Sequence, residues 1–445
     1  MKTLRATAVL ACWLLAVGAH ASRVEAQRSA SPSAAVLFEG ARLIDGSGRA
    51  PVEDSAFLVA GARITEVGTR GSIRQPQGAT VVDLHGKTVI PALVDAHSHL
   101  GYTDVRTGDT AAAHYTRDNL IDHLRRYAYY GIAATLSMGL DRGDLPYELR
   151  ANPADGAALF AIAGRGLAMP NAGPNALYWR DAAYGVTTEA EARSAVRELA
   201  ARKVDIVKIW VDDRNKTVTP LPPAIYRPII EEAHAQRLRV VAHVYYLADA
   251  KDLLRAGIDG FAHGIRDLEV DDEIMGLLKA RPQVFVIPNL PDTPPGTGDL
   301  AWLSETLPPQ QIEALKRTAV DSPPRPRLFD IQARSLRKLV AAGVRIGFGT
   351  DAGIGAPYGW SAHAELADMV AAGMTPAQAI VAATRTSAEI LGLAQFGTIA
   401  SGKSADFVVL DANPLDDIRN TRRMAHVYLR GRQVNRTELS AAWAR

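Results

Sequence analysis

The sequence predicts an α/β fold: a (β/α)8 TIM-like barrel carrying an accessory β-sandwich domain built from both chain ends. Three observations carry this expectation. The middle of the chain alternates short β-branched runs with amphipathic segments such as EAEARSAVRELAARK and PAIYRPIIEEAHAQR, the pattern of parallel strands joined by crossover helices. Both ends instead carry short strands punctuated by Gly and Asp: AVLFEGARLIDGSG and AFLVAGARITEVG at one end, GTIASGKSADFVVLDANP and HVYLRGRQV at the other. A small sheet assembled from both termini accounts for that texture. Finally, 445 residues with 47% apolar and 22% charged suffice for one large barrel and an accessory domain.

In chain order, residues 1–21 stand outside the fold. Lys2 and Arg5 precede an apolar core, and Ala19-His20-Ala21 is a small-residue cleavage pattern. The segment reads as a Sec-type signal peptide exporting the chain to the periplasm or cell exterior, with Val24-Glu25-Ala26 as a second cut. Its apolar core is too short for a membrane span, and nothing later offers one. Cys12 lies inside that core, which argues against a lipoprotein. It is the only cysteine, so the mature chain is expected to have no disulfide and no thiolate chemistry. Losing Lys2 and Arg5 takes the net charge from +2 to about 0, which argues against nucleic acid or an anionic membrane as partner.

Residues 22–34 read as a polar spacer, 35–88 as the N-terminal part of the accessory domain, 89–394 as the barrel, 395–435 as the C-terminal part, and 436–445 as a tail. Eight barrel strands are expected at Val89–Ala96, Ala133–Gly139, Ala158–Gly164, Ile206–Val211, Val240–Val244, Gly260–His263, Val284–Pro288 and Arg345–Gly349. Residues 169–185 follow the third strand and 291–326 the seventh. Both are placed to form a lid or pocket wall, with plain surface loops as the alternative.

The chemistry-bearing residues gather at strand ends, where a barrel keeps its active site. The first strand runs into Asp95-Ala96-His97-Ser98-His99; period two places His97 and His99 on one face, able to reach one ion. The fourth carries Lys208 inside DIVKIWVDD, the fifth His243, the sixth His263, and the eighth leads to Asp351. An ammonium buried among Ile206, Val207, Ile209 and Trp210 costs several kcal/mol, about the price of an unpaired ion, unless it is paired, solvated or chemically altered.

The order HxH, Lys, His, His, Asp resembles the binuclear metal site of the amidohydrolase superfamily. IDGSG, VIPALVDAHSHL, FGTDAG, HAELADMVAAGMTPAQAIVAAT and GTIASGKSADFVVLDANP are similar to that family's landmarks over nearly the whole mature chain. Within it, the chain most resembles the prolidase/imidazolonepropionase-like branch of metal-dependent peptidases. Ala92 stands where a glycine is usual. The second strand reads AATLSMGLD rather than the arginine-containing TVRD, so substrate contacts from that strand do not carry over.

The resemblance implies two divalent metal ions. His97, His99 and Asp351 would hold the more buried one and His243 and His263 the outer one. Lys208, converted by CO2 to N6-carboxylysine, would bridge both, since an ammonium has no lone pair to give and a carbamate has two oxygens. Ligands without sulfur suit Zn²⁺ best, with Mn²⁺ or Co²⁺ tolerated. A hydroxide shared by the ions would attack a carbonyl, with Asp351 as general base and then acid towards the departing nitrogen. Neutral imidazoles are required, so activity should fall below pH ~6.5. Tyr245, two residues past His243 on the same strand face, is placed to hydrogen-bond an oxyanion or a substrate carboxylate, with packing at the barrel rim as the alternative. Arg266 is a candidate partner for a substrate carboxylate, or else simply solvated. His363 and His114 read as structural or loop residues.

The implied activity is that of a secreted metal-dependent hydrolase of amide bonds, acting on a dipeptide or N-acyl amino acid in the manner of a metallo-carboxypeptidase or dipeptidase. The same site could serve a cyclic amide, lactone, ester or phosphotriester. A binding protein that kept the fold and lost turnover is a third reading, opposed by the presence of all six ligands. Homo-oligomers are open.

Overall fold

The computed structural model describes residues 35–443 apart from 175, 291–299, 322–325 and 354–356. The signal peptide and spacer expected at 1–34, and the last two residues of the tail, lie outside the described residues.

At the N-terminal side, five strands come first: β1 (Val36–Leu43), β2 (Val52–Ala60), β3 (Arg63–Thr69), β4 (Thr80–Asp83) and β5 (Thr88–Pro91). The next ten alternate with helices: β6 (Leu93–Ser98), β7 (Ile132–Ser137), β8 (Leu159–Ile162), β9 (Leu167–Ala168), β10 (Tyr184–Gly185), β11 (Val207–Val211), β12 (Val240–Val244), β13 (Gly260–Ala262), β14 (Phe285–Ile287) and β15 (Arg345–Ile346). The chain ends with β16 (Phe407–Leu410), β17 (Met424–Leu429) and β18 (Arg432–Gln433).

Both termini contribute to one eight-stranded sheet in the order β18-β17-β16-β5-β1-β2-β3, with β4 paired to β1. On one face Phe38, Phe57, Phe407 and Tyr428 stack within 5.2 Å of one another in successive pairs; Leu37, Ala56, Leu58 and Ile73 pack on the other.

The middle strands are parallel, in sets β6-β7-β8 and β10-β9-β11-β12-β13-β14-β15. Strands such as LVDAHS in β6 and VKIWV in β11 are buried at every position, as expected of a parallel sheet covered on both faces. The helices start on local signals. Thr116 caps Arg117–Tyr129, Thr188 and Glu191 form a capping box on Glu189–Ala201, and Asp271 caps Asp272–Ala280.

Three features differ from the sequence expectation. The single strand expected at Val89–Ala96 is two: Thr88–Pro91 pairs with β1 and β16, and only from Leu93 does the chain join the parallel set. The sixth and seventh strands end at Ala262 and Ile287, with His263 (φ 84°) and Asn289 (φ 44°) turning left-handed just past them, and the eighth ends at Ile346 rather than Gly349. The expected tail instead forms a helix, Arg436–Trp443, whose Glu438 N–H donates to the Asn435 side chain. Its Trp443 packs against Tyr129 and Arg126.

Candidate metal centre

Strand β6 delivers His97, and His99 follows one residue past its end. Asp351 follows β15 in the left-handed conformation, φ 55°. The Thr350 and Asp351 N–H groups both donate to the His97 carbonyl, so the backbone itself brings these ligands together. One donor atom from each of His97, His99 and Asp351 lies within 4.8 Å of the others. His97 Nε2 and His99 Nε2 stand 3.3 and 3.1 Å from Asp351 Oδ1.

The remaining candidates adjoin this trio. The His263 ring lies 4.8 Å from that of His97 and 4.5 Å from that of His243. Four imidazoles thus form a continuous buried chain. Lys208 is wholly buried, and its Nζ makes no hydrogen bond. Its charge acts on Asp351 and on all four histidines.

Hydrogen bonds outside the cluster choose the tautomers. The Asn289 amide donates to the Gly349 carbonyl at 2.7 Å and therefore turns its oxygen to His97 Nδ1, 2.9 Å away. His97 Nδ1 thus carries the proton, and Nε2, buried and without a hydrogen bond, keeps its lone pair. Asp212 Oδ2 stands 3.0 Å from His243 Nε2; a carboxylate only accepts, so Nε2 donates and Nδ1 is free to ligate. Asp95, on the same strand as His97, accepts from the His97 and Thr350 backbones and from the Thr350 hydroxyl.

Burial and charge set the protonation states. Burial, helped by Lys208 and opposed by Asp351, holds His97 well below the ordinary imidazole range, and burial does the same for His243 and His263. His99 is lowered too, again first by burial. The acid limb expected near pH ~6.5 from free imidazoles therefore moves lower in this site. Burial would raise Asp351, but His97, His99 and Lys208 outweigh it and keep the carboxylate ionised. Lys208 falls from 10.5 to about 7, mostly through burial and against the pull of Asp351.

This donor set fits divalent cations. His97 Nε2 and Asp351 Oδ1 are buried polar atoms with no hydrogen-bond partner, which is costly unless something satisfies them. A neutral imidazole lone pair facing an ionised carboxylate is the arrangement a cation completes. Lys208 Nζ is also buried without a hydrogen bond, though as an ammonium it has no lone pair to offer a cation.

Tyr245 and Arg266 meet at one rim of the cluster. Tyr245 lies one residue beyond β12 rather than within it, because the strand ends at Val244. The Arg266 N–H donates to the Tyr245 carbonyl at 2.9 Å, and its guanidinium lies 6.0 Å from the Tyr245 ring. Arg266 Nε is buried without a hydrogen bond, so the side chain is not a solvated surface arginine. His363 is structural, held between the Thr421 hydroxyl and the Tyr130 carbonyl. His114 pairs with Asp109 on a loop.

Of the two loops, the described part of 169–185 forms a packed wall in which Ala172, Trp179, Ala182 and Ala183 bury against Tyr102 and Trp210. Of 291–326, residues 291–299 and 322–325 lie outside the described residues; the remainder includes the helix Pro309–Asp321. Asn289, Asp212 and Arg214 are participants that the sequence reading missed. Arg214 ties Asp212 to that wall, with Nη1 3.2 Å from Asp212 Oδ2 and Nη2 donating to the Gly173 carbonyl at 2.7 Å. Their signal was available: Asn289 in VFVIPNL and Asp212 in KIWVDD are polar residues ending apolar strands.

Comparison with known proteins agrees with this geometry. Residues 88–434 match the Amidohydrolase family. Imidazolonepropionase of Deinococcus radiodurans is 28% identical over 401 residues, covering 86% of this chain and 92% of the relative. Ochratoxinase of Aspergillus niger is 25% identical, covering 89% and 86%. The crystal structure of a putative prolidase from Bifidobacterium longum superposes with a TM-score of 0.72 at 27% identity, covering 92% of this chain and 98% of that one. With a parallel α/β core, a His-His-Asp cluster at its strand ends and a family match spanning most of its length, this chain belongs to the amidohydrolase family.

Proposed function

We propose that the protein is an exported hydrolase of amide bonds, cleaving dipeptides or N-acyl amino acids that carry a free carboxylate. It would work with two divalent ions, zinc by preference, bridged by Lys208 as N6-carboxylysine. The two parallel sheets are read as arcs of one closed (β/α)8 barrel, supported by the hydrogen bonds from Ala96 N–H to the Phe348 carbonyl and from Asp205 N–H to the Ile162 carbonyl. The terminal sheet, with apolar clusters on both faces, is read as the accessory β-sandwich. Export rests on the N-terminal sequence.

The observation that carries the chemistry is Lys208 Nζ: buried, without a hydrogen bond, drawn to Asp351, and with its charge acting on all four histidines. Burial and Asp351 between them leave the amine near neutrality, and the free amine is the form that reacts with CO2. Ions held here polarise a carbonyl and acidify water. His97, His99, His243 and His263 would hold them through lone pairs whose direction Asn289 and Asp212 set. Asp351 Oδ1 would take the proton of the attacking water and return it to the departing nitrogen. Arg266 and Tyr245, together at one rim, would receive the substrate carboxylate.

A panel of dipeptides and N-acyl amino acids, assayed with chelator-stripped and zinc-reloaded protein, tests this reading. Cleavage restored by metal is expected; full activity in the stripped protein would sink it. A second reading is hydrolysis of a cyclic amide, lactone, ester or phosphotriester at the same centre, because the fold does not settle the substrate. Including such compounds in the panel separates the two.

A further inference from the structure

We infer that Glu365 is a positioning residue for the metal centre: through the Leu290 backbone it holds Asn289, and through Asn289 it aims His97. The inference rests on reading the histidine cluster as a metal centre, and adds a residue outside the donor set.

Glu365 lies in the helix Trp360–Ala371, within the HAEL stretch, and is buried. A carboxyl taken out of water is costly unless it is hydrogen-bonded. Both of its oxygens turn to one backbone group: the Leu290 N–H donates to Oε1 at 3.1 Å and to Oε2 at 2.9 Å. Burial holds this carboxyl well above its ordinary range, with Asp368, Asp95 and Asp351 adding to the effect and the Leu290 N–H opposing it. A neutral carboxyl still accepts through its carbonyl oxygen. The bond to Leu290 therefore asks for an acceptor rather than for a charge.

Leu290 requires that acceptor because of the residue before it. Strand β14 ends at Ile287, and the Ile287 and Pro288 carbonyls accept from the His263 and Gly264 N–H groups. At Asn289 the backbone turns left-handed, φ 44°, a conformation that asparagine tolerates better than most residues. The turn takes the next N–H out of the strand ladder, and a buried N–H has to be paired elsewhere. Glu365 pairs it.

The Asn289 side chain depends on this anchorage. Its amide donates to the Gly349 carbonyl at 2.7 Å, and its oxygen accepts from His97 Nδ1 at 2.9 Å. Both bonds require one backbone conformation at Asn289, and Glu365 secures the peptide on its C-terminal side. Freed from Glu365, that peptide would let the Asn289 oxygen leave His97, and Nε2 would lose its aim. A side chain that merely filled space at 365 would serve equally well if it were apolar.

The test is the affinity of the metal-free full-length protein for Zn²⁺ and Co²⁺, measured by competition with a chromogenic chelator. Glu365→Met keeps the bulk, removes both acceptors, and should weaken binding by about 10–100-fold. Glu365→Gln keeps one acceptor and should restore most of the affinity. The visible spectrum of bound Co²⁺ should change in the first variant and return in the second. In an Asn289→Ala background, Glu365→Met should have little further effect, because both substitutions act on His97 by one path. If the methionine variant does not fold, Glu365→Asp, which withdraws the carboxyl by one methylene, reads the same loss. Wild-type affinity and spectrum in a folded methionine or aspartate variant overturn the inference. So do a glutamine variant as weak as the methionine one, and full additivity with Asn289→Ala. A wild type that binds neither ion overturns the metal centre itself.

Discussion

Replacing Lys208 with methionine gives opposite results for a plain amine and for a carbamate. The amine sits at about 7 against an ordinary 10.5, a burial cost on the order of 5 kcal/mol for the ammonium. For an unmodified lysine the sign follows directly. Between pH about 7 and 10.5 the unfolded chain binds more protons than the folded one, so stability rises with pH across that window. Lys208→Met removes the buried charge, keeps an apolar stem of similar length, and would then raise the melting temperature at neutral pH. If Lys208 is instead a carbamate bridging two ions, the same change deletes a ligand to both. Metal content should then fall by about half or more and kcat by about 10³-fold or more. Melting temperature should no longer rise on adding zinc, and a short carboxylic acid should restore part of the activity. Elemental analysis, calorimetry and turnover on one preparation read all of these. A variant that melts higher, keeps its metal and keeps most of its activity would refute the bridging carbamate.

The groups that aim the ligands should matter almost as much as the ligands. Asn289→Ala and Asp212→Asn should each weaken metal binding by about 10–100-fold, measured by competition with a chromogenic chelator. Gly139→Ala should disturb the centre from behind Lys208. Gly139 has φ +90°, and a Cβ there would lie 2.9 Å from Lys208 Cγ; reduced metal content is the expected readout. Acid should destabilise the fold through His123, whose Nδ1 accepts from Gly101 N–H and whose Nε2–H donates to the Thr103 carbonyl. Burial lowers it from 6.5 to about 4. The unfolded chain therefore binds its proton first, and stability falls as pH drops from 6.5 to about 4, by on the order of 3 kcal/mol. His123→Gln should flatten the dependence of melting temperature on pH across that window.

What was legible in the sequence were features that report on themselves. Eight short, mostly apolar runs announce a parallel sheet, because strands covered on both faces have no polar side to alternate with. His97, His99, Lys208, His243, His263 and Asp351 could be picked out because each ends or interrupts such a run. What was not legible depended on neighbours. VIPALVDAH reads as one strand, and only the pairing of Ile90 with Val408 and of Leu93 with Ile132 shows that it serves two sheets. Asn289 and Asp212 are single polar residues whose importance lies in which histidine each faces. The helix Arg436–Trp443 could have been found locally: Asn435 and Glu438 stand at capping-box spacing.

The split of that strand explains why a metal centre in the middle of the chain depends on both chain ends. Strand β5 is held on one side by β1 and on the other by β16, and Ala92, whose N–H donates to the Asp406 carbonyl, is the only residue between it and β6. At its far end, β6 is fixed by Thr350 and Asp351 donating to the His97 carbonyl. The strand carrying His97 is therefore anchored below by the terminal sheet and above by the backbone of another ligand. This pre-sets the His97–Asp351 geometry before any ion arrives, and a rigid site spends less of its metal affinity on ordering the chain. It follows that the C-terminal residues act on the centre through one covalent step. Loss of β16 would unpair an edge of β5, and the disturbance would reach His97 without touching a single donor atom.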